Sequence, residues 1–164
     1  MTELPRHSVS VTGIVFRDDG RVLAIQRQDD NRWVPPGGVL ELDETPADGV
    51  AREVLEETGI KIRAEQLTAV YKNMRLGVVT LAFRCSAMGG HQEQATDEAK
   101  KVRWLTVEEA TQDMPEARAI RVVDAANRSS ASLPVRVHDG TNTMARQRWH
   151  EPLVTSFSTV SRAG

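Results

Sequence analysis

The segment from Gly38 to Ile60 constrains the fold of this chain more than any other part of it. Within it, Glu53, Glu56 and Glu57 fall on one face of a predicted helix. Carboxylates one helical turn apart repel each other and destabilise an isolated helix by roughly 0.2–0.5 kcal/mol per pair. A solvated face normally mixes the two signs of charge, whereas these three side chains converge. The pattern therefore predicts a bound cation, and oxygen ligands favour a hard divalent ion such as Mg²⁺ or Mn²⁺.

Capping residues predict where this helix begins and ends. Thr45 is a suitable N-cap residue, Pro46 suits the first helical position, and Gly59 suits a left-handed stop after the last turn. The helix is therefore predicted from Pro46 to Thr58. Helical spacing puts small and apolar side chains on one arc, which we expect to be buried: Ala47, Ala51, Val54, Leu55 and Thr58. Gly49 lies on the carboxylate face, where its missing side chain would leave room for a ligand or for loop backbone.

The spacing of these residues matches a known pattern. Gly38, then Glu44 after five residues, then Arg52 after seven more and the run from Glu53 to Ile60, resembles the complete box of the Nudix hydrolases. Every fixed position of the pattern is filled, and Asp43, where many members have Gly, lies at an unconstrained position. The resemblance implies an α/β fold, the Nudix-type α/β/α sandwich with a central mixed sheet.

The same resemblance implies a metal site and a reaction. Glu53, Glu56 and Glu57 would bind Mg²⁺ or Mn²⁺, with the backbone carbonyl of Gly37 or Gly38 completing the shell. The reaction would be hydrolysis of a pyrophosphate linkage in a nucleoside diphosphate joined to some group X. Cations suit this chemistry because they neutralise the diphosphate and lower the pKa of an attacking water.

Two further roles in the box follow from the resemblance. Arg52 would orient a glutamate through a charge-assisted hydrogen bond, and Glu44 would brace Arg52 or the loop. A carboxylate left near the metal would accept the proton of the water, and either Glu53 or Glu56 would be this general base. The implied catalytic residues are therefore Arg52, Glu53 and Glu56.

Outside the box, two charged residues have both a functional and a plain interpretation. Arg27 ends a predicted strand directed towards the loop before the box, where relatives often place an arginine on substrate phosphate. It would otherwise be an exposed charge at a strand end. Glu98, beside Asp97, precedes another predicted strand, where relatives sometimes place a further metal ligand or base. These acids would otherwise belong to a charged loop.

The remaining aromatic, histidine and cysteine residues give weaker signals. Trp33 and Trp104 would stack on a base or, more commonly, pack in the fold, and Tyr71 suits a core position equally well. Cys85 lies in a predicted strand and does not resemble a nucleophile. The four histidines show no ligand spacing and are predicted to lie on the surface: His7, His91, His138 and His150.

Length and charge exclude several classes of protein. A chain of 164 residues suits one compact domain. The formal net charge of −2 gives no general attraction to nucleic acid or to an anionic membrane, so a nucleotide is the expected partner. Cys85 is the single cysteine and cannot form an internal disulfide, so we expect a cytoplasmic protein. No apolar run approaches the roughly 18 residues of a transmembrane helix, and no membrane span is predicted.

Composition divides the chain into two parts. We expect a Nudix hydrolase domain over residues 1–128 and a C-terminal extension over 129–164, which is rich in Ser, Thr and Arg. Within the extension, Val135 to His138 would add an edge strand, and Trp149 would anchor the end of the chain. The extension would dock either on the domain or on a partner subunit, as in a homodimer.

Elimination favours one substrate class. In the family, a proline that follows the box marks ADP-ribose pyrophosphatases, but Arg75 and Leu76 stand in that region here. Tyr71 comes too early for the tyrosine that marks dinucleoside polyphosphate hydrolases. The leading expectation is a nucleoside or deoxynucleoside triphosphate, split into a nucleoside monophosphate and pyrophosphate. The alternatives are an ADP-ribose or nucleotide-sugar pyrophosphatase and, in another class, a non-catalytic module that senses a nucleotide or binds a partner.

Overall fold

A computed structural model describes residues 3–127 and 132–145 of the chain. The strands in these residues are β1 (Ser8–Phe16), β2 (Val22–Arg27), β3 (Trp33–Val34), β4 (Gly37–Val39), β5 (Ile60–Asn73), β6 (Val78–Gly90), β7 (Ala99–Leu105) and β8 (Val135–His138). The helices are α1 (Pro46–Thr58), α2 (Val107–Asp113) and α3 (Glu116–Ala126). Within the described residues no helix is both long and apolar enough to cross a membrane.

All the described strands belong to one mixed sheet. Its hydrogen-bonded path runs β3-β2-β1-β6-β5-β8, while β4 pairs with β1 and β7 pairs with β2. β1 is parallel to β6 and β5 is parallel to β8, whereas the other pairs are antiparallel. Gly20 closes the β1–β2 turn with a φ of 80°, a conformation that glycine adopts without strain.

Helices cover both faces of this sheet. Successive residues of a strand point to opposite faces, so apolar residues of one strand can pack against helices on both sides. On one face, Val11 of β1 packs in a core with Val50 and Val54 of α1. On the other face, Ile14 of β1 packs in a second core with Val122 of α3. The predicted α/β/α sandwich with a central mixed sheet is therefore confirmed.

The extension contributes to the sheet. Val135–His138 forms the predicted edge strand, which is confirmed as β8 and pairs with β5 from Val70↔Val135 to Asn73↔His138. The boundary between domain and extension stays a prediction, and Trp149 lies outside the described residues. The prediction that His138 lies on the surface was wrong, because pairing with β5 buries it to 2% exposure.

Candidate metal and pyrophosphate site

Both ends of α1 are held as its capping residues predict. The Thr45 hydroxyl accepts a hydrogen bond from the Asp48 amide at 3.2 Å. Gly59 has a φ of 74°, and its amide donates to the Leu55 carbonyl at 2.8 Å. A side chain at Gly59 would strike the His91 carbonyl oxygen, since an added Cβ would lie 2.0 Å from it. These local contacts fix the directions in which the glutamates of α1 project.

The prediction of which residues of α1 are buried was partly wrong. Val54 and Thr58 are fully buried, but Ala47 is exposed and Leu55 is 43% exposed. Glu53 and Glu57 are instead 8% and 5% exposed.

A loop covers the carboxylate face of α1, and this contact explains the difference. The loop side chains of Leu40 and Glu44 fill the space left by Gly49, where an added Cβ would lie 2.7 Å from Leu40 Cδ1 and 2.8 Å from Glu44 Oε1. Gly37 and Gly38, just before this loop, contact the carboxylates of Glu57 and Glu53 and help to hold both glutamates away from solvent.

Three carboxylates converge beside this loop. Glu53, Glu57 and Glu98 each offer an oxygen within 4.8 Å of the others. Glu57 Oε2 also accepts the Gly37 amide at 2.7 Å. Several carboxylate oxygens around one point form the donor set of a hard divalent cation, so these residues fit the Mg²⁺ or Mn²⁺ that the resemblance implies.

Pairing of β7 with β2 brings Glu98 to the cluster. The Gln28 amide donates to the Glu98 carbonyl at 3.2 Å, and Ala99 pairs with Arg27. The adjacent turn is held by Thr96, whose hydroxyl donates to the Glu57 carbonyl at 3.3 Å. Thr96 is a positioning residue that no sequence signal indicated, because its partner lies far away in the chain.

Glu56 stands apart from the three converging carboxylates. Its side chain is 58% exposed, and its Oε2 lies 3.2 Å from Arg52 Nη1. Its predicted roles as a ligand or base therefore stay predictions, as do the predicted carbonyl ligands Gly37 and Gly38. Gly38 does lie against the site, since an added Cβ would be 2.5 Å from the Glu53 carboxylate.

Arg52 connects the loop to the cluster. Its Nε and Nη2 donate to both oxygens of Glu44 at 3.0 and 2.7 Å, and Nη2 also donates to the Val39 carbonyl at 3.2 Å. Its Nη1 donates to Glu53 Oε1 at 2.9 Å. The hydrogen bonds from Arg52 hold the pKa of Glu44 to about 2. Arg52 and Glu44 thus have the geometry of the orienting and bracing roles that the resemblance implies.

Burial changes the proton affinity of the cluster. It raises the pKa of Glu57 to about 8, and the charges of Glu53 and Glu98 add to this rise. The Gly37 amide and the charge of Arg27 oppose it. Burial also raises the pKa of Glu53, against the hydrogen bond from Arg52. A divalent cation must therefore displace a proton from Glu57 below about pH 8.

Arg27 faces the cluster but already has a partner. Its Nε and Nη2 donate to the two carboxylate oxygens of Asp29 at 2.8 and 2.5 Å. The side chain is 46% exposed, and Asp29 accepts from only two of its five N–H groups, so contact with substrate phosphate would not require loss of this carboxylate. Both interpretations of Arg27 stay open, and Asp97 is exposed beside Glu98.

The aromatic residues and the cysteine that the sequence singled out are buried or partly buried. Burial raises the pKa of Cys85 to about 12, which does not suit a nucleophile. Trp104 is half-buried, with its indole N–H donating to Gln92 at 2.8 Å, and Trp33 is partly buried beside the α3-side core. Tyr71 is a core residue with 0% exposure, as one of its two interpretations predicts.

Arg52→Lys is expected to weaken metal binding roughly 10–100-fold, the usual cost of removing a partner that orients ligands. Lysine keeps the charge but cannot donate to Glu44 with two nitrogens while holding Glu53. Isothermal titration with Mg²⁺ measures the change. Arg63→Lys, which alters a 65% exposed arginine, is the matched control. Equal affinity in Arg52→Lys and wild type would show that Arg52 does not organise the site.

Comparisons with known proteins agree with this geometry. A model of the NUDIX domain matches residues 6–125. A "MutT-like protein" from Streptomyces ambofaciens is 54% identical over 139 residues, covering 85% of this chain and 88% of that protein. An "ADP-ribose pyrophosphatase" from Methanocaldococcus jannaschii is 32% identical over 105 residues, covering 60% of this chain and 61% of that protein.

Structural comparison agrees at the level of the fold. The crystal structure of a NUDIX hydrolase from Nitrosomonas europaea matches with a TM-score of 0.71 and 23% identity, covering 83% of this chain and 82% of the other. Nudix hydrolases cleave pyrophosphate linkages in nucleotide substrates and generally depend on a divalent metal, which the acidic cluster suits. The domain match, the close relative and the fold together establish that this chain is a member of the Nudix hydrolase family.

Proposed function

We propose that the chain hydrolyses a nucleoside or deoxynucleoside triphosphate to a nucleoside monophosphate and pyrophosphate, with Mg²⁺ or Mn²⁺ as its metal. The observation that carries the metal-dependent chemistry is the convergence of Glu53, Glu57 and Glu98 within 4.8 Å. A bound divalent cation would neutralise the negative diphosphate and lower the pKa of an attacking water. Within this proposal the enzyme acts in the cytoplasm on a small nucleotide, without nucleic acid or membrane.

The residues of the chain divide the work by their positions. Buried Glu57 and Glu53, together with Glu98, would hold the cation. Arg52 keeps the Glu53 carboxylate turned into the cluster. Glu56 is exposed at the edge of the site beside Arg52. Its carboxylate is not one of the three that converge. We therefore assign Glu56, rather than Glu53, as the group that accepts the proton of the attacking water.

The shape of one turn supports the choice of substrate. The region where the family places the proline of ADP-ribose pyrophosphatases is here a tight turn between β5 and β6. Asn73 Oδ1 accepts the amides of Arg75 and Leu76 at 3.0 and 3.2 Å. Proline at either position would remove one of these donors, so the turn is built without it.

A second candidate substrate rests on a different observation. The relative from Methanocaldococcus jannaschii, at 32% identity, is named as an ADP-ribose pyrophosphatase. ADP-ribose contains the same kind of pyrophosphate linkage, so the carboxylate cluster would serve it equally. The nucleoside on the far side of the linkage would be held by residues outside the box.

A substrate panel tests the proposal. Phosphate, pyrophosphate and nucleotide products are measured with nucleoside triphosphates, ADP-ribose, nucleotide sugars and dinucleoside polyphosphates, with Mg²⁺ or Mn²⁺ and with EDTA. We expect the highest kcat/KM with a triphosphate, release of pyrophosphate, and no turnover in EDTA. Glu53→Gln and Glu56→Gln serve as inactive controls. Preference for ADP-ribose selects the second candidate, and turnover that survives both substitutions removes the mechanism. Nucleotide binding without any turnover would instead select the sensing module.

A further inference from the structure

Arg121, on the face of the sheet opposite α1, has hydrogen-bonding groups that nothing in the described residues satisfies. The residue is 2% exposed, and its guanidinium lies over the Tyr71 ring, 5.1 Å from the ring centroid. The ring contact leaves the in-plane N–H groups in need of hydrogen-bond acceptors. Its Nη1 donates to Thr12 Oγ1 at 2.8 Å. Its Nε and Nη2 are buried and have no hydrogen-bond partner among the residues that the structure describes. A buried polar group in this condition requires a physical explanation.

The two unsatisfied nitrogens form one edge of the guanidinium, and this protein uses the same edge elsewhere. Nε and Nη2 together hold both oxygens of an aspartate in three pairs: Arg17–Asp19, Arg27–Asp29 and Arg136–Asp124. Such a fork matches the two oxygens of a carboxylate or a phosphate. In Arg121 the same two nitrogens are buried, and no residue among 3–127 or 132–145 accepts a hydrogen bond from them.

The surroundings of Arg121 are cationic. Arg118 lies one turn earlier on α3, and neither arginine forms an ion pair with a carboxylate in the described part of the chain. Burial, followed by the charge of Arg118, lowers the pKa of Arg121 to about 9. Burial and both arginines also lower the pKa of His138 to about 4, which keeps that ring neutral at pH 7. Positive charge is therefore concentrated here, and the charges of Asp30 and Asp139 oppose its effect on the pKa of Arg118 and of His138.

The fork of Arg121 is connected to the carboxylate cluster through the sheet but is separate from it. Thr12, which holds the other side of the guanidinium, pairs with Gly37 in the adjacent strand β4. The Gly37 amide donates to Glu57 at 2.7 Å. The pairing of β1 with β4 therefore links the fork of Arg121, on one face of the sheet, to the carboxylate cluster on the other.

We propose that Arg121, with Arg118 beside it, is a binding site for an oxyanion, a phosphate or carboxylate group that the fork of Arg121 grips with two hydrogen bonds. The ligand would supply a negative charge that pairs with the guanidinium of Arg121. It would also accept hydrogen bonds from the buried Nε and Nη2. Since both nitrogens are shielded from solvent, the ligand reaches them when side chains around α3 move apart. The oxyanion belongs either to the uncleaved part of the substrate or to a free anion.

Inorganic phosphate and the Arg121→Met variant test this proposal without metal or turnover, so the result is independent of the proposed function. In EDTA, phosphate is expected to raise the Tm of the wild-type protein, because a ligand that binds the folded state stabilises it. Arg121→Met fills the same space without a buried charge. It is expected to have a higher Tm than wild type in phosphate-free buffer and to bind phosphate at least about tenfold more weakly by isothermal titration.

Controls separate the site from general effects of charge. Arg63→Met removes an exposed arginine and is expected to keep the phosphate response of wild type. Arg118→Met supplies a second variant in case Arg121→Met does not fold, and it is expected to reduce the phosphate affinity as well. A wild-type Tm that does not respond to phosphate, or an Arg121→Met variant that binds phosphate as wild type does, would overturn the proposal.

Competition identifies the source of the oxyanion. With metal and substrate present, phosphate that raises KM in wild type but not in Arg121→Met shows that the fork holds a group of the substrate. Phosphate that leaves KM unchanged, yet still raises Tm through Arg121, assigns the site to a free anion. Both results support the oxyanion site and differ only in its ligand.

Discussion

Glu57→Gln is expected to lower kcat/KM more than about 100-fold, because loss of a residue that merely orients metal ligands already costs roughly 10–100-fold. Glu57 is 5% exposed, and its carboxylate lies within 4.8 Å of those of Glu53 and Glu98. Glutamine keeps the size of the side chain and an oxygen for the Gly37 amide, but it cannot supply the negative charge. Activity with Mg²⁺ at pH 8 measures the loss, and Glu108→Gln, an exposed residue of α2, is the control.

The same substitution is expected to change how stability depends on pH. Burial raises the pKa of Glu57 from 4.5 to about 8 in the folded protein. The folded state therefore holds this proton more tightly than the unfolded state does. The resulting stabilisation is complete below about pH 4.5 and is lost as the pH rises through about 8.

Thermal unfolding in EDTA between pH 5 and pH 9 measures this dependence. The Tm of the wild-type protein should fall more steeply over this range than the Tm of Glu57→Gln, which has no proton to lose at this position. Parallel curves for the two proteins would mean that Glu57 does not hold a proton in the absence of metal.

Glu56→Gln is expected to lower kcat roughly 10²–10⁴-fold, the range typical of a general base, while metal affinity stays unchanged. Metal affinity should not change because the Glu56 side chain is 58% exposed at the edge of the site and contacts Arg52 rather than the three converging carboxylates. Single-turnover kinetics and Mn²⁺ titration of the same sample separate the two effects.

The matched comparison for Glu56→Gln is Glu53→Gln, which is expected to weaken metal binding. If Glu56→Gln loses metal affinity as Glu53→Gln does, Glu56 is a ligand. If Glu56→Gln keeps full kcat, the base lies elsewhere.

Features that depend on neighbouring residues in the chain could be predicted well from the sequence. The bounds of α1 agree with Pro46 and Thr58 because Thr45 and Gly59 act through hydrogen bonds within one turn. The buried face of α1 could not be predicted from periodicity alone. Its burial depends on contacts from outside the helix, because Leu40 and Glu44 pack against Gly49 while Gly37 and Gly38 lie against the two buried glutamates.

Features that depend on strand pairing were the least predictable. Val135–His138 was recognisable as a strand, but its parallel pairing with β5, which buries His138, has no local signal. The approach of Glu98 to Glu53 and Glu57 likewise depends on the pairing of β7 with β2. The sequence suggested Glu98 only through the resemblance to the family. The burial of Arg121 was not predicted, since an arginine in a helix is expected on the surface unless its packing is known.

The most direct test of the central claim is a titration of the metal-free protein with Mn²⁺ at pH 8, with free Mn²⁺ measured by electron paramagnetic resonance. The claim is that the buried carboxylates of α1, with Glu98, hold the divalent cation. The wild-type protein should bind Mn²⁺ saturably, and Glu53→Gln, Glu57→Gln and Glu98→Gln should each bind at least about tenfold more weakly, whereas Glu108→Gln should bind as wild type does. Affinities that are the same in all five proteins would contradict the claim.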